Sequence, residues 1–235
     1  KTLGYMDIQR MLEPRLIYGS YPDILNQSAD TQMLLRNLTD SYLYKDILAT
    51  ENIRKPDLLD KLLRALAYQV GSEVSYNELA QTVGSDSKTV EKYIELLEKC
   101  FIIFRLNGLS RNLRNELKKA KKIYFYDNGI RNAVIQQFAP LEMRNDVGAL
   151  WENFFISERI KRNHYQQYYC NMYFWRTQSQ QEIDYIEERD GMMTVFEMKW
   201  NPKKANTTIP EAFLKAYPIK ETTIITPENY LDWLL

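Results

Sequence analysis

The chain is poor in the residues that carry soft-metal and nucleophilic chemistry. It has two cysteines, Cys100 and Cys170, and one histidine, His164, in 235 residues. Two thiols alone make neither a disulfide framework nor a zinc site. They are expected as reduced thiols in a cytoplasmic protein. One histidine excludes multi-His metal sites and disfavours His-dependent triads, and His164 is expected at the surface or a helix end. Long apolar runs are also missing. Nothing approaches the roughly 20 residues needed to cross a bilayer, so no membrane partner is expected. There is no charge of one sign either: 31 basic residues face 31 acidic ones, whereas a protein that simply coats nucleic acid is normally basic. Neither a Gly-x-x-x-x-Gly-Lys-[Ser/Thr] phosphate loop nor a Gly-x-Ser-x-Gly elbow occurs, so no ATPase or serine-hydrolase motif lies in this chain. The start, Lys1-Thr2-Leu3-Gly4-Tyr5, has no initiator Met and no signal-peptide pattern. The chain is therefore expected to be the C-terminal part of something longer.

What is present is patterned. Residues 1–56 read as a helical segment, with turns at Glu13-Pro14 and Tyr18-Gly19-Ser20-Tyr21-Pro22 and a helix from Met33 to Leu48. From Asp57 the spacing predicts three helices. The first, Leu58 to Val70, ends at Gly71; the second, Tyr76 to Val83, is capped by Ser75 with Glu78 and stopped by Gly84. The third, Lys88 to Lys99, is capped by Asp86 or Ser87. Strands Phe101–Leu106 and Lys122–Tyr126 complete a winged helix-turn-helix over 57–127. Its third helix offers Lys88, Thr89 and Lys92 to a duplex. Its wing carries Arg105, Arg111, Arg114, Lys118, Lys119, Lys121 and Lys122 against one acid, Glu116. Double-stranded DNA is the expected partner of these residues. Winged helices also serve as protein-contact modules, and Glu91, Glu95 and Glu98 on the third helix favour that use.

The last part of the chain, 128–235, reads as a turn and helix at Asp127-Asn128-Gly129 to Phe138, then helix Gly148–Asn163 and strands Tyr168–Arg176, Glu182–Glu187 and Thr194–Trp200. Helix Pro210–Ala216, strand Thr222–Thr226 and a terminal helix follow. The αβββαβ order beginning at Gly148 is that of a PD-(D/E)xK restriction-endonuclease-like core. Glu197-Met198-Lys199 places a carboxylate and an ammonium on one side of a strand, because strand side chains alternate. Asp184 on the preceding strand and Glu152 on the helix add carboxylates. Such a set can hold a hard divalent cation, Mg²⁺ or Mn²⁺, through Asp184, Glu197 and the Met198 carbonyl, with Glu152 acting through water or on a second ion. Lys199 would stabilise charge on a phosphate or position the attacking water. Asp184, Glu197, Lys199 and Glu152 are thus the candidate catalytic residues. Trp175 and Trp200 are expected in packing.

Tyr18-Gly19-Ser20-Tyr21-Pro22, Tyr44-Lys45-Asp46-Ile47, Lys122-Ile123-Tyr124-Phe125-Tyr126-Asp127-Asn128-Gly129, Leu150-Trp151-Glu152-Asn153, Glu182-Ile183-Asp184-Tyr185 and Phe196-Glu197-Met198-Lys199 together resemble one family. It is the C-terminal region of bacterial and archaeal AAA-type ATPases, in which a P-loop module is followed by a helical segment, a winged helix and a nuclease-related domain of unknown function. The resemblance implies a DNA-interacting, cytosolic protein whose ATP is used in a module absent from this chain, and oligomerisation through that parent ATPase. It departs from the superfamily pattern at Ile183, where Pro often precedes the aspartate. The alternative it implies is a non-catalytic DNA- or protein-binding module coupled to an ATPase.

Overall fold

The computed structural model describes residues 4–25, 30–40, 56–110, 121–177, 179–204 and 208–235. Among them are eleven α-helices and seven β-strands of a mixed α/β chain. They gather into two compact units, residues 1–105 with 123–146, and residues 106–122 with 147–235.

The first unit opens with helices Tyr5–Arg10, Leu12–Tyr18, Pro22–Leu25 and Thr31–Leu38. Glu13 and Pro14, expected in a turn, lie in the first turn of the second helix, where a missing N–H costs no intrahelical bond. The continuation expected through Leu48 falls partly outside the described residues. Helices Pro56–Tyr68, Tyr76–Val83 and Ser87–Lys99 follow, bounded by their caps. The Asp86 carboxylate accepts from the Thr89 amide at 3.0 Å and Ser75 Oγ from the Glu78 amide at 3.4 Å. Gly84, at φ 72°, ends the middle helix in the left-handed region. Strands β1 (Glu73–Val74), β2 (Ile103–Gly108) and β3 (Lys121–Phe125) run in the order β1-β3-β2. Phe101 and Ile102, expected to begin a strand, instead form the turn before β2. Phe101 has φ 55°, and the amides of both return to the end of the preceding helix at 3.0 Å.

Helix Asn128–Val134 belongs to this unit, and the reason is polar. Asn132 Nδ2 donates to the carbonyls of Leu16 (3.1 Å) and Ile17 (2.8 Å), and Arg131 Nε to that of Ala67 (2.7 Å). The last carbonyls of a helix lack intrahelical donors, and these side chains supply them. Asp127 caps the same helix through the Ile130 amide (3.1 Å) and accepts from the Ser20 amide at 2.7 Å. Two of the phrases that carry the family resemblance therefore meet. The approach leaves no room for side chains: a Cβ on Gly129 would lie 2.1 Å from the Tyr18 carbonyl oxygen, whereas one on Gly84 would meet nothing within 4 Å. Gly129→Ala is expected to lower stability by on the order of 2–3 kcal/mol, and Gly84→Ala by about 1 kcal/mol through its backbone alone. Thermal melts of the two variants check the contrast, and equal losses would contradict it.

The second unit contains helix Val147–Tyr165, strands β4 (Asn171–Arg176), β5 (Glu182–Arg189) and β6 (Met192–Met198), helix Glu211–Ala216, β7 (Ile219–Ile225) and helix Leu231–Leu234. Its strand order is β2-β4-β5-β6-β7. The β2/β4 and β6/β7 pairs are parallel, and β4/β5 and β5/β6 antiparallel. Alternation sends Val195 into a core with Trp175, Ile183, Ile186 and Phe213, while its neighbour Phe196 packs on Phe155 of the long helix at 5.8 Å. Under that helix lies a buried ion pair. Arg159 meets Glu187 through two hydrogen bonds of 2.9 Å, and Asn163 (2.6 Å) and Tyr185 (3.2 Å) complete the carboxylate's partners.

One irregularity positions the candidate site. Tyr173 pairs with Ile186 but Trp175 pairs with Ile183, so Asp184 and Tyr185 together oppose the single residue Phe174. This bulge lets Ile183 and Ile186, three apart, both enter the same core, and it turns Asp184 out of strict alternation.

Candidate functional site

Asp184, Glu197 and Lys199 come together at the ends of β5 and β6. Lys199 Nζ lies 3.0 Å from Glu197 Oε2 and 3.9 Å from Asp184 Oδ2. The Met198 amide donates to Asp184 Oδ2 at 2.8 Å. Met198, expected to contribute through its carbonyl, thus also fixes the aspartate that the bulge has re-aimed. Glu152, on the long helix, joins through another residue: Lys122 Nζ lies 3.3 Å from Glu152 Oε1 and 2.5 Å from Glu182 Oε1.

The set fits a hard divalent cation in one telling respect. The Glu197 side chain is only 5% exposed, and its Oε1 has no hydrogen-bond partner. A buried carboxylate oxygen without a donor is costly, and carboxylate oxygen is what Mg²⁺ or Mn²⁺ takes. Among the described residues no three His, Cys, Asp or Glu side chains stand as a ready-made metal cluster. The donors in place are a carboxylate pair, and Mg²⁺ characteristically uses one or two carboxylates and retains several waters.

Electrostatics follow the geometry. Burial, and then the neighbouring Asp184 carboxylate, push the Glu197 carboxyl up from 4.5 to about 7. Burial pulls the Lys199 and Lys122 ammoniums down, but the surrounding carboxylates outweigh it and both stay charged, held above the ordinary lysine value. The Glu197 shift has a sign that can be tested. Between about pH 4.5 and 7 the folded chain holds a proton that the unfolded chain has released. Without metal, stability is therefore expected to fall as pH rises through that window, by on the order of 3 kcal/mol. Glu197→Gln should flatten the trend in denaturant titrations run in chelator at pH 5, 6, 7 and 8. A slope unchanged by the substitution would contradict it.

The expected nucleic-acid residues divide. Lys88 and Lys92 are exposed on helix Ser87–Lys99, but Thr89 is engaged with its own cap, donating from its hydroxyl to Asp86 at 2.7 Å. Arg105 is paired with Glu98 at 2.5 Å. Arg111, Arg114, Lys118 and Lys119 lie outside the described residues. Lys121 is half-buried. Lys122 is only 3% exposed and is held by two glutamates. Sequence reasoning missed this role and passed over Glu182. The available signal was the apolar Ile123-Tyr124-Phe125 directly after Lys122, which marks a buried strand. Trp175 and Trp200 pack as expected, against Phe213 (5.2 Å) and Trp151 (5.8 Å). His164 is exposed in the last turn of its helix.

Comparison with known proteins gives two family matches along the chain. The chain belongs to the family described as Domain of unknown function (DUF8612), whose model matches residues 9–141, more than half of its 235 residues. Residues 147–233, which hold the site, match a second model, Domain of unknown function (DUF4143), a domain found in AAA-ATPase-associated proteins. Among curated relatives, "Uncharacterized protein Rv2008c" of Mycobacterium tuberculosis is 27% identical over 139 residues, 57% of this chain and 30% of the relative. "Uncharacterized protein Mb2031c" of Mycobacterium bovis gives the same figures, 27% over 57% of this chain and 30% of the relative. An "Uncharacterized protein" of Haemophilus influenzae is 25% identical over 124 residues, 50% of this chain and 31% of the relative. The chain thus spans about a third of the length of these relatives. No solved structure matches it significantly. No helix among the described residues is long and apolar enough to cross a membrane.

Proposed function

We propose that residues 147–235 form a PD-(D/E)xK nuclease-like domain, that residues 57–127 form a winged helix, and that the chain is the DNA-interacting C-terminal part of an AAA-type ATPase. The observation that carries the reading is the Asp184–Glu197–Lys199 constellation with its unpartnered, buried Glu197 oxygen. Asp184 and Glu197 would hold Mg²⁺ or Mn²⁺, with the Met198 carbonyl a further candidate ligand. When bound, such an ion supplies charge neutralisation at a phosphate and a more acidic water. Lys199 is poised beside both carboxylates and would turn its ammonium to a non-bridging phosphate oxygen, where negative charge grows in the transition state. The Met198 amide keeps Asp184 from swinging away. The exposed Lys88 and Lys92 would serve phosphate positioning rather than base reading.

A second reading, a non-catalytic DNA- or protein-binding module beside an ATPase, draws on the same site. Lys122 and Lys199 already compensate much of its negative charge without a metal. Incubation of the purified chain with double-stranded DNA in Mn²⁺, against the same mixture in chelator, separates the readings. Chelator-sensitive strand scission that is lost in Asp184→Ala supports the first. Scission unaffected by that substitution sinks it.

A further inference from the structure

Lys122 has no evident task in cleavage, yet it is the most deeply buried ammonium of the site. Besides Glu152 and Glu182, it lies 5.4 Å over the Phe174 ring, and Asp184 attracts it from farther away. A buried ammonium persists only where its partners compensate desolvation. The carboxylates Glu152, Glu182, Asp184 and Glu197 face the ammoniums of Lys122 and Lys199. Lys122 thus serves Glu152 and Glu182, while the buried carboxylate oxygen of this set left without a hydrogen-bond donor belongs to Glu197. Arg176 also reaches Glu182, at 3.8 Å, from a partly exposed edge.

We infer that Lys122 is a resident cation of this centre, holding Glu152 and Glu182 where a second divalent ion would otherwise sit, so that the centre takes one divalent ion on Asp184 and Glu197. The inference rests on the metal reading above and adds to it a stoichiometry. Lys122 is a positioning residue: it keeps Glu152 and Glu182 away from the ion and touches no substrate. Glu152, expected to act through water or on a second ion, is accordingly occupied by Lys122 instead.

Calorimetric titration of the full chain with Mn²⁺ tests this. The wild-type chain and Lys122→Arg, which keeps the charge, should each bind one equivalent. Lys122→Met, which leaves Glu152 and Glu182 uncompensated, should bind a second. If Lys122→Met is unfolded without metal, its far-UV circular dichroism should recover on adding Mn²⁺ and not on adding sodium chloride of equal ionic strength. A Lys122→Met chain that binds one equivalent at wild-type affinity, or that stays unfolded in Mn²⁺, overturns the inference and leaves the Asp184–Glu197 site standing. A wild-type chain that binds no Mn²⁺ removes the metal reading and this inference with it.

Discussion

Lys199→Ala is expected to reduce Mn²⁺-dependent cleavage of double-stranded DNA by about 10²–10³-fold or more, the usual loss when a preorganised charge aimed at the transition state is removed. The fold should be unaffected. Lys199 is partly exposed, 27% at its side chain, and its backbone amide stays bonded to the Ile225 carbonyl at 2.9 Å whatever the side chain. The substitution also leaves Glu197 and Asp184 without their shared ammonium, so Mn²⁺ should bind at least as tightly while cleavage disappears. That opposition, binding retained and turnover lost, separates Lys199 from its neighbours, because Asp184→Ala should lose both. The check is plasmid cleavage beside Mn²⁺ titration for the two variants. Full cleavage by Lys199→Ala would show that the lysine only balances charge.

Glu187→Ala is expected to be the most destabilising substitution in the second unit, by about 3–5 kcal/mol. The loss does not come from the pair's own attraction, which desolvation largely offsets. It comes from stranding Arg159, whose side chain is 7% exposed, beneath the long helix with only the Trp233 carbonyl left to accept from it. Asn163 and Tyr185 would lose the same acceptor. For a chain of this size such a loss lowers the melting temperature by roughly 10 °C. Removing both charges is gentler than removing one, so Arg159→Leu with Glu187→Leu should recover much of the loss. A double variant as unstable as Glu187→Ala would mean that packing, rather than the stranded charge, sets the cost.

The elements around the site were legible because their determinants are local. Ser75, Gly84, Asp86 and Asp127 mark helix ends through bonds made within a few residues, and Glu197-x-Lys199 shares a side because alternation is a backbone property. What was not legible depends on partners distant in sequence. The Asp184–Tyr185 bulge exists because Ile183 and Ile186 both enter one core, and no period-two reading of β5 reveals it. Lys122 read as one more charge in a basic run, since its meaning lies with Glu152 and Glu182, 30 and 60 residues away. Asn128, Arg131 and Asn132 fall in a segment read only as a turn and a helix, yet they bond to carbonyls more than 60 residues earlier. Polar residues that serve another element's backbone look, in sequence, like surface.

The most direct test of the site is Mn²⁺ binding by calorimetry, at pH 7.5, to the wild-type chain and to Asp184→Ala. One equivalent bound by the wild type and none by the variant is the expected result. Equal binding by both chains would place the ion elsewhere and contradict a metal centre built on Asp184 and Glu197.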